Sequence, residues 1–352
     1  MRIIKLKKSH FHPFLETISQ KAHLWAPVKK GDKYAFDRVE DFSRIEMKTT
    51  RTLLPPKKLM VPPSFNMFSF TADGYREDLS HISPKILFGI HPCDIHGLLT
   101  LDKLFTYQYS DPYYLKARQK TLILGLSCWP DEYCFAKSTR THIIEEGFDL
   151  FFTDLEEYFL VWVGSSQGDD LIRMRPELFE ENLTDAYIQR YIRWQKEREN
   201  AYRTEINFVA MPDLMELKHK SAFWDEAGRA CLACGSCSMV CPTCNCYNVQ
   251  DKLALAGKPG RRLRSWDSCT LLDYSQVAGG ENFREHKADR LRLWYTHKLQ
   301  AFVSKYGKPS CVGCGRCLVT CPVEINVQTI AKSLQGEDPK AFWYRLQSEA
   351  KS

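Results

Sequence analysis

The chain reads CLACGSCSMVCP over Cys231–Pro242 and CVGCGRCLVTCP over Cys311–Pro322. Each run is C-x2-C-x2-C-x3-C-P, and every cysteine of the second lies 80 positions after its counterpart in the first. Three thiolates at intervals of three let one tight loop wrap three irons of a cubane. The fourth, four residues on, usually reaches the other cluster of a pair. The spacing therefore predicts two 4Fe–4S clusters. One sits on Cys231, Cys234, Cys237 and Cys321, the other on Cys311, Cys314, Cys317 and Cys241. Gly235 and Gly315 follow the second cysteine, where the chain passes close to inorganic sulfide and a positive φ is useful. Structural zinc also takes four thiolates, but zinc ribbons favour two separated C-x2-C pairs.

Sixty-nine residues separate Cys241 from Cys311, far more than the short hairpin-rich stretch of small bacterial ferredoxins. Within them, NFREHKADRLRLWYTHKLQAFVSKYG places Leu291, Trp294, Tyr295, Leu299 and Phe302 on one helical stripe, ended by Gly307 and Pro309. That pattern resembles the helical ferredoxin domain, in which helices carry both clusters.

The amino-terminal half reads as α/β. KILFGI (85–90), TLILGLSC (121–128), FDLFFTD (148–154) and YFLVWVGS (158–165) are strand candidates. DIHGLLTLDKLF between the first two reads as a helix with Asp94 as N-cap, and a strand–helix–strand order implies some parallel pairing. LLPPKKLMVPPSF (53–65), with two proline pairs, reads as an extended surface connector. DAYIQRYIRWQKEREN is amphipathic. The expected architecture is α+β overall: an N-terminal α/β domain over 1–167, a helical connector over 168–218, and a helical dicluster ferredoxin-type domain over 219–352.

Composition narrows the class. The 352 residues are 44% hydrophobic and 26% charged, as in an ordinary globular protein. No run of about 18 apolar residues spans a bilayer, and the basic start MRIIKLKKSHFHPF lacks the apolar core of a signal peptide. Fourteen cysteines with no such leader point to a reducing, cytoplasmic setting. Residues 251–310 hold twelve Lys and Arg against six Asp and Glu, matching the whole chain's +6. Eight thiolates around two 2+ cores leave about four negative charges. That gives Arg261, Arg262, Arg264, Arg284, Arg290 and Arg292 a nearer role than nucleic-acid binding, which is not expected. Neither a G-x-G-x-x-G after a strand nor a P-loop occurs.

Six cysteines remain. Cys93, Cys128 and Cys134 fall near the ends of strand candidates, and Cys244, Cys246 and Cys269 flank the first motif. Two readings stand: small buried hydrophobes, or a third iron–sulfur cluster, for which each trio is one ligand short.

CPTCNCYNVQD, RRLRSWDSC, VAGGENFRE, DRLRLWYTHK and CVGCGRC, in that order, resemble one family. It contains the beta subunit of soluble NiFe hydrogenases (sulfhydrogenases) and the A subunit of anaerobic sulfite reductase. HPCDIHG, CFAKSTRTH and GFDLFFTDL extend the resemblance over most of the chain from about residue 50. It implies a cytoplasmic iron–sulfur electron carrier without a catalytic residue of its own. Such a carrier works between a flavin- and NAD(P)-binding subunit that bears a 2Fe–2S cluster and a catalytic subunit. That catalyst is of hydrogenase, sulfite reductase or heterodisulfide reductase type. The family commonly has Cys-Phe-Cys where this chain has Cys134-Phe135-Ala136, so a cluster on Cys93, Cys128 and Cys134 lacks its usual fourth ligand. The competing functional classes are a redox-sensing or structural iron–sulfur module, and a self-contained reductase with Cys93 as nucleophile.

Overall fold

The computed structural model describes residues 2–253 and 259–336. The end of the expected dicluster domain, 337–352, lies outside the described residues. In chain order the strands are β1 (Arg2–Lys7), β2 (His23–Lys30), β3 (Lys33–Arg38), β4 (Ser64–Thr71), β5 (Gly74–Glu77), β6 (Lys85–Ile90), β7 (Thr121–Leu126), β8 (Leu150–Asp154), β9 (Tyr158–Val163), β10 (Phe179–Glu180), β11 (Tyr247–Lys252) and β12 (Gly260–Trp266). The helices are α1 (Lys8–Ser19), α2 (Pro92–Thr106), α3 (Pro112–Gln119), α4 (Ser166–Arg173), α5 (Asp185–Asn200), α6 (Met211–Leu217), α7 (Phe223–Ala230), α8 (Ser236–Met239), α9 (Lys287–Leu299), α10 (Val303–Tyr306), α11 (Arg316–Thr320) and α12 (Val327–Leu334).

An eight-stranded sheet runs in the order β10-β1-β9-β8-β7-β6-β2-β3. Its centre, β2–β6–β7–β8, is parallel and its flanks are antiparallel. β6 is buried at all six positions, the continuous run that a strand covered on both faces needs. α1 packs Phe11, Phe14, Leu15 and Ile18 on one face, and α2 and α3 cover the other with Ile95, Leu98, Leu101 and Tyr114. Each such side chain contributes about 1.5–3 kcal/mol on burial. The four strand candidates are thus β6 to β9.

Two local expectations fail. The helix after β6 starts at Pro92 with His91 as its N-cap residue, because proline is favoured at the first helical position. Asp94 lies inside the first turn, and its carboxylate is taken by an arginine 222 residues away. Leu53–Phe65 is not a surface connector. It folds into a 3-10 turn at Pro56–Leu59 and buries Lys57, Met60 and Val61. The prolines fix turns here and do not hold the segment extended.

The region between the motifs also holds more than helices. β11 and β12 form a hairpin that pairs through β12 with β4, giving an antiparallel sheet β11-β12-β4-β5. The stretch 168–218 contributes β10 to the edge of the large sheet, and α5 lays Trp194 over Leu155, Tyr158 and Leu160. α6, α7, α9 and α12 enclose a separate core around Trp224, Leu291, Tyr295, Val327 and Ile330. The cysteine motifs line that core. No helix among the described residues is long and apolar enough to cross a membrane.

Candidate metal centre

The two motifs follow the same backbone path. Gly235 and Gly315 are left-handed, with φ of +77° and +73°, and start the short helices α8 and α11 that lead to Cys241 and Cys321. Their amide–sulfur bonds repeat at the same offset. Ala233 N–H donates to Cys231 Sγ at 3.4 Å, as Gly313 N–H does to Cys311. The N–H groups of Ser236 and Arg316 donate to Cys234 and Cys314. Such donors favour thiolate and tune the potential of a bound cluster.

Cys321 lies near Cys231 and Cys234, and Cys237 lies near Cys231, Cys241, Cys321 and Cys234. Cys241 faces Cys311, Cys314 and Cys317. Burial, with repulsion from neighbouring thiolates, pushes Cys237 up to about 12. Burial likewise raises Cys311 to about 12, and Cys317 well above the ordinary thiol. Eight free thiols gathered in two mostly half-buried groups are costly to ionise together unless a cation lies among them. A ferric–ferrous core supplies that charge, so the donor set fits 4Fe–4S clusters. Among the described residues no three His, Cys, Asp or Glu side chains gather closely enough to hold a single metal ion.

Two lysines that sequence reasoning passed over face these thiols. Lys298 is buried and donates to Thr243 Oγ1 at 2.9 Å. Burial lowers its pKa, but Cys241 and Cys244 more than offset this and raise it above the ordinary ammonium. Lys57 donates to the Cys244 carbonyl at 2.7 Å, and burial holds its pKa down. One lies on α9 and the other in the proline-rich run, and only tertiary packing brings them here. Of the six arginines expected to balance cluster charge, Arg290 lies near a cluster thiol, Cys231. Arg262 pairs with Asp251 on the surface, Arg264 with Asp111, and Arg292 with Asp289.

The second motif is clasped by the amino-terminal half. Arg316 is buried and bidentate to Asp94, at 2.6 and 2.8 Å, and donates through Nε to the Thr52 carbonyl at 2.9 Å. Phe135 N–H donates to the Gly313 carbonyl at 2.9 Å, and Thr141 Oγ1 to that of Val312 at 2.6 Å.

With this geometry in view, two likenesses carry weight. Residues 230–325 match the model of a 4Fe–4S dicluster domain. The sequence is also 35% identical to sulfhydrogenase 2 subunit beta of Pyrococcus furiosus over 330 residues, 93% of this chain and 96% of the relative. The chain belongs to the sulfhydrogenase beta-subunit family. It is an iron–sulfur oxidoreductase subunit, and all eight motif cysteines fall inside the matched 4Fe–4S segment.

In this family member the other six cysteines form two groups. Cys93, Cys134 and Ala136 pack with Val312, Tyr202 and Cys314, against the second motif. Burial raises Cys93 well above the ordinary thiol and Cys134 to about 12. Burial also opposes ionisation of Cys128, but His91 beside it draws its pKa down. His91 is itself buried, with Nε2 unpartnered. Cys244, Cys246 and Cys269 line a cleft of about 400 Å³ with Tyr274, Trp294 and Lys298. The two trios do not merge into one site: the first adjoins Cys314, the second Cys241.

Proposed function

We propose that this chain is the electron-relay subunit of a cytoplasmic multisubunit oxidoreductase, with two cross-ligated 4Fe–4S clusters. The first is held by Cys231, Cys234, Cys237 and Cys321, the second by Cys311, Cys314, Cys317 and Cys241. The observation that supports this reading is the nearness of Cys321 to Cys231, Cys234 and Cys237, and of Cys241 to Cys311, Cys314 and Cys317. When bound, such clusters accept and release single electrons. The residues of the chain do the rest. The matched amide–sulfur bonds orient the thiolates, Lys298 offsets charge at Cys241, and the helical core excludes water. The partners are a flavin- and NAD(P)-binding subunit with a 2Fe–2S cluster on one side and a catalytic subunit on the other. The relative's standing as a subunit of a sulfhydrogenase supports this.

Anaerobically purified chain should contain about eight irons and as many acid-labile sulfides from the two clusters. Cys321→Ser should change the EPR signal of the first-motif cluster, although the substitution lies in the second motif. Zinc without sulfide, or a change confined to the second-motif signal, would overturn the assignment.

A third cluster on Cys93, Cys128 and Cys134 is a second reading, favoured by the unpartnered Nε2 of buried His91 beside Cys128. Histidine replaces cysteine as ligand in some iron–sulfur centres. It requires about four more irons, lost selectively in Cys93→Ser. A count that stays at eight removes it.

A further inference from the structure

Cys246 and Cys269 lie outside the eight motif thiols and close to each other. Cys246 ends the turn that leaves the first motif, and Cys269 follows β12, so the β11–β12 hairpin brings their ends together. The Asp267 N–H closes that base onto the Cys246 carbonyl at 3.0 Å. The Cys246 and Cys269 side chains lie beside each other on the same cleft, with Tyr274 next to Cys246. Cys246 is partly exposed on the cleft of about 400 Å³, while Cys269 is 1% exposed behind it. An accessible attacking thiolate backed by a buried resolving thiol is the arrangement that thiol–disulfide exchange uses.

We propose that Cys246 and Cys269 are a redox-active pair that reduces a low-molecular-weight disulfide entering this cleft. The Cys246 thiolate attacks one sulfur of the external disulfide, forming a mixed disulfide and releasing one thiolate. Cys269, losing its proton, then attacks Cys246 Sγ and releases the second thiolate. The Cys246–Cys269 disulfide so formed takes two electrons and two protons to return to the dithiol. The electrons come one at a time from the clusters, and this last step rests on the relay reading above. The donors around Cys246, together with buried Lys298 beyond it, draw its pKa down to about 6, in support of the attacking role. The hydrogen bond to Cys246 correspondingly holds the Cys269 proton in place until attack.

The test uses full-length, cluster-loaded protein with cystine as the probe, under anaerobic conditions. Alkylation and peptide mass analysis should show a Cys246–Cys269 disulfide after cystine treatment, with two cysteines released per chain. Cys269→Ser should stop at the Cys246–cysteine mixed disulfide. Cys246→Ser should abolish both products while iron, sulfide and cluster EPR stay as in the parent. In photoreduced protein, one disulfide should discharge two cluster electrons, and Cys246→Ser should leave them in place. Loss of iron in Cys246→Ser or Cys269→Ser would make the pair cluster ligands and overturn the proposal, as would failure of cystine to modify Cys246. If the disulfide forms but cluster electrons are not discharged, the exchange chemistry stands and the coupling to the relay is overturned.

Discussion

The two cysteine motifs share a pattern and a backbone path, and they differ in what encloses them. Leu232, after the first cysteine of the first motif, is 59% exposed, whereas Val312 at the same place in the second is 4% exposed. Cys234 is exposed; its counterpart Cys314 is half-buried against Cys93 and Cys134. Ser236 turns its hydroxyl to Cys234 at 3.3 Å, while Arg316 reaches out of its motif to Asp94. The cysteines and glycines therefore fix the path of each loop, and the residues between them decide which loop meets solvent and which meets the rest of the chain. The first motif is therefore the surface-facing one, and the second is the enclosed one.

The largest expected effect comes from cutting the clasp on the second motif. Asp94→Asn leaves Arg316 buried beside an uncharged partner, and breaking such a pair costs about 3–5 kcal/mol. Denaturant unfolding of the cluster-loaded chain should show that loss, with the second-motif EPR signal weakened first. Ser236→Ala, at the position matching Arg316, removes one hydroxyl bond and should cost only about 0.5–1.5 kcal/mol. Equal losses in the two variants would erase the distinction between an enclosed and an exposed site.

A smaller difference is expected at the paired glycines. Both occupy the left-handed region, where a side chain costs about 1–2 kcal/mol. A Cβ on Gly235 would meet Ser268 Cβ at 3.3 Å, which a small shift relieves, whereas one on Gly315 would meet the Tyr133 carbonyl oxygen at 2.5 Å. Gly235→Ala should therefore cost about the conformational penalty alone. Gly315→Ala should cost clearly more, because backbone of the amino-terminal half has to move. Thermal unfolding of the two variants side by side measures the gap. A Gly235→Ala loss as large as that of Gly315→Ala would mean that the clasp yields easily.

Much of this contrast could not be read from the chain beforehand. The repeat, its left-handed glycines and the helix at 287–299 were legible because they depend on neighbours within a few residues. β6 to β9 were legible because a buried strand needs an unbroken apolar run. β11 and β12 were not, since YNVQDK is exposed at every position and RRLRSW alternates charge with small and apolar residues. β12 pairs with β4, 190 or more residues earlier, and β11 is held by β12. Lys57 and Asp94 were missed for the same reason: each has its partner in the other half of the chain. What sequence carried poorly was long-range polar pairing, and that pairing is what distinguishes the two motifs.

The smallest effect bears on rate and leaves stability untouched. With Cys234 exposed and Leu232 beside it in solvent, a water-soluble iron chelator reaches the first site without unfolding the chain. The second requires opening of the contacts from Phe135, Thr141 and Arg316, and local opening of packed structure is rarer than exposure of a surface loop. Iron release from ferricyanide-oxidised protein should therefore be biphasic, with about half of the cluster iron in the fast phase. Asp94→Asn should speed the slow phase and leave the fast one unchanged. A single phase in the parent protein would mean that both sites open together, and the comparison would then describe packing alone and not access.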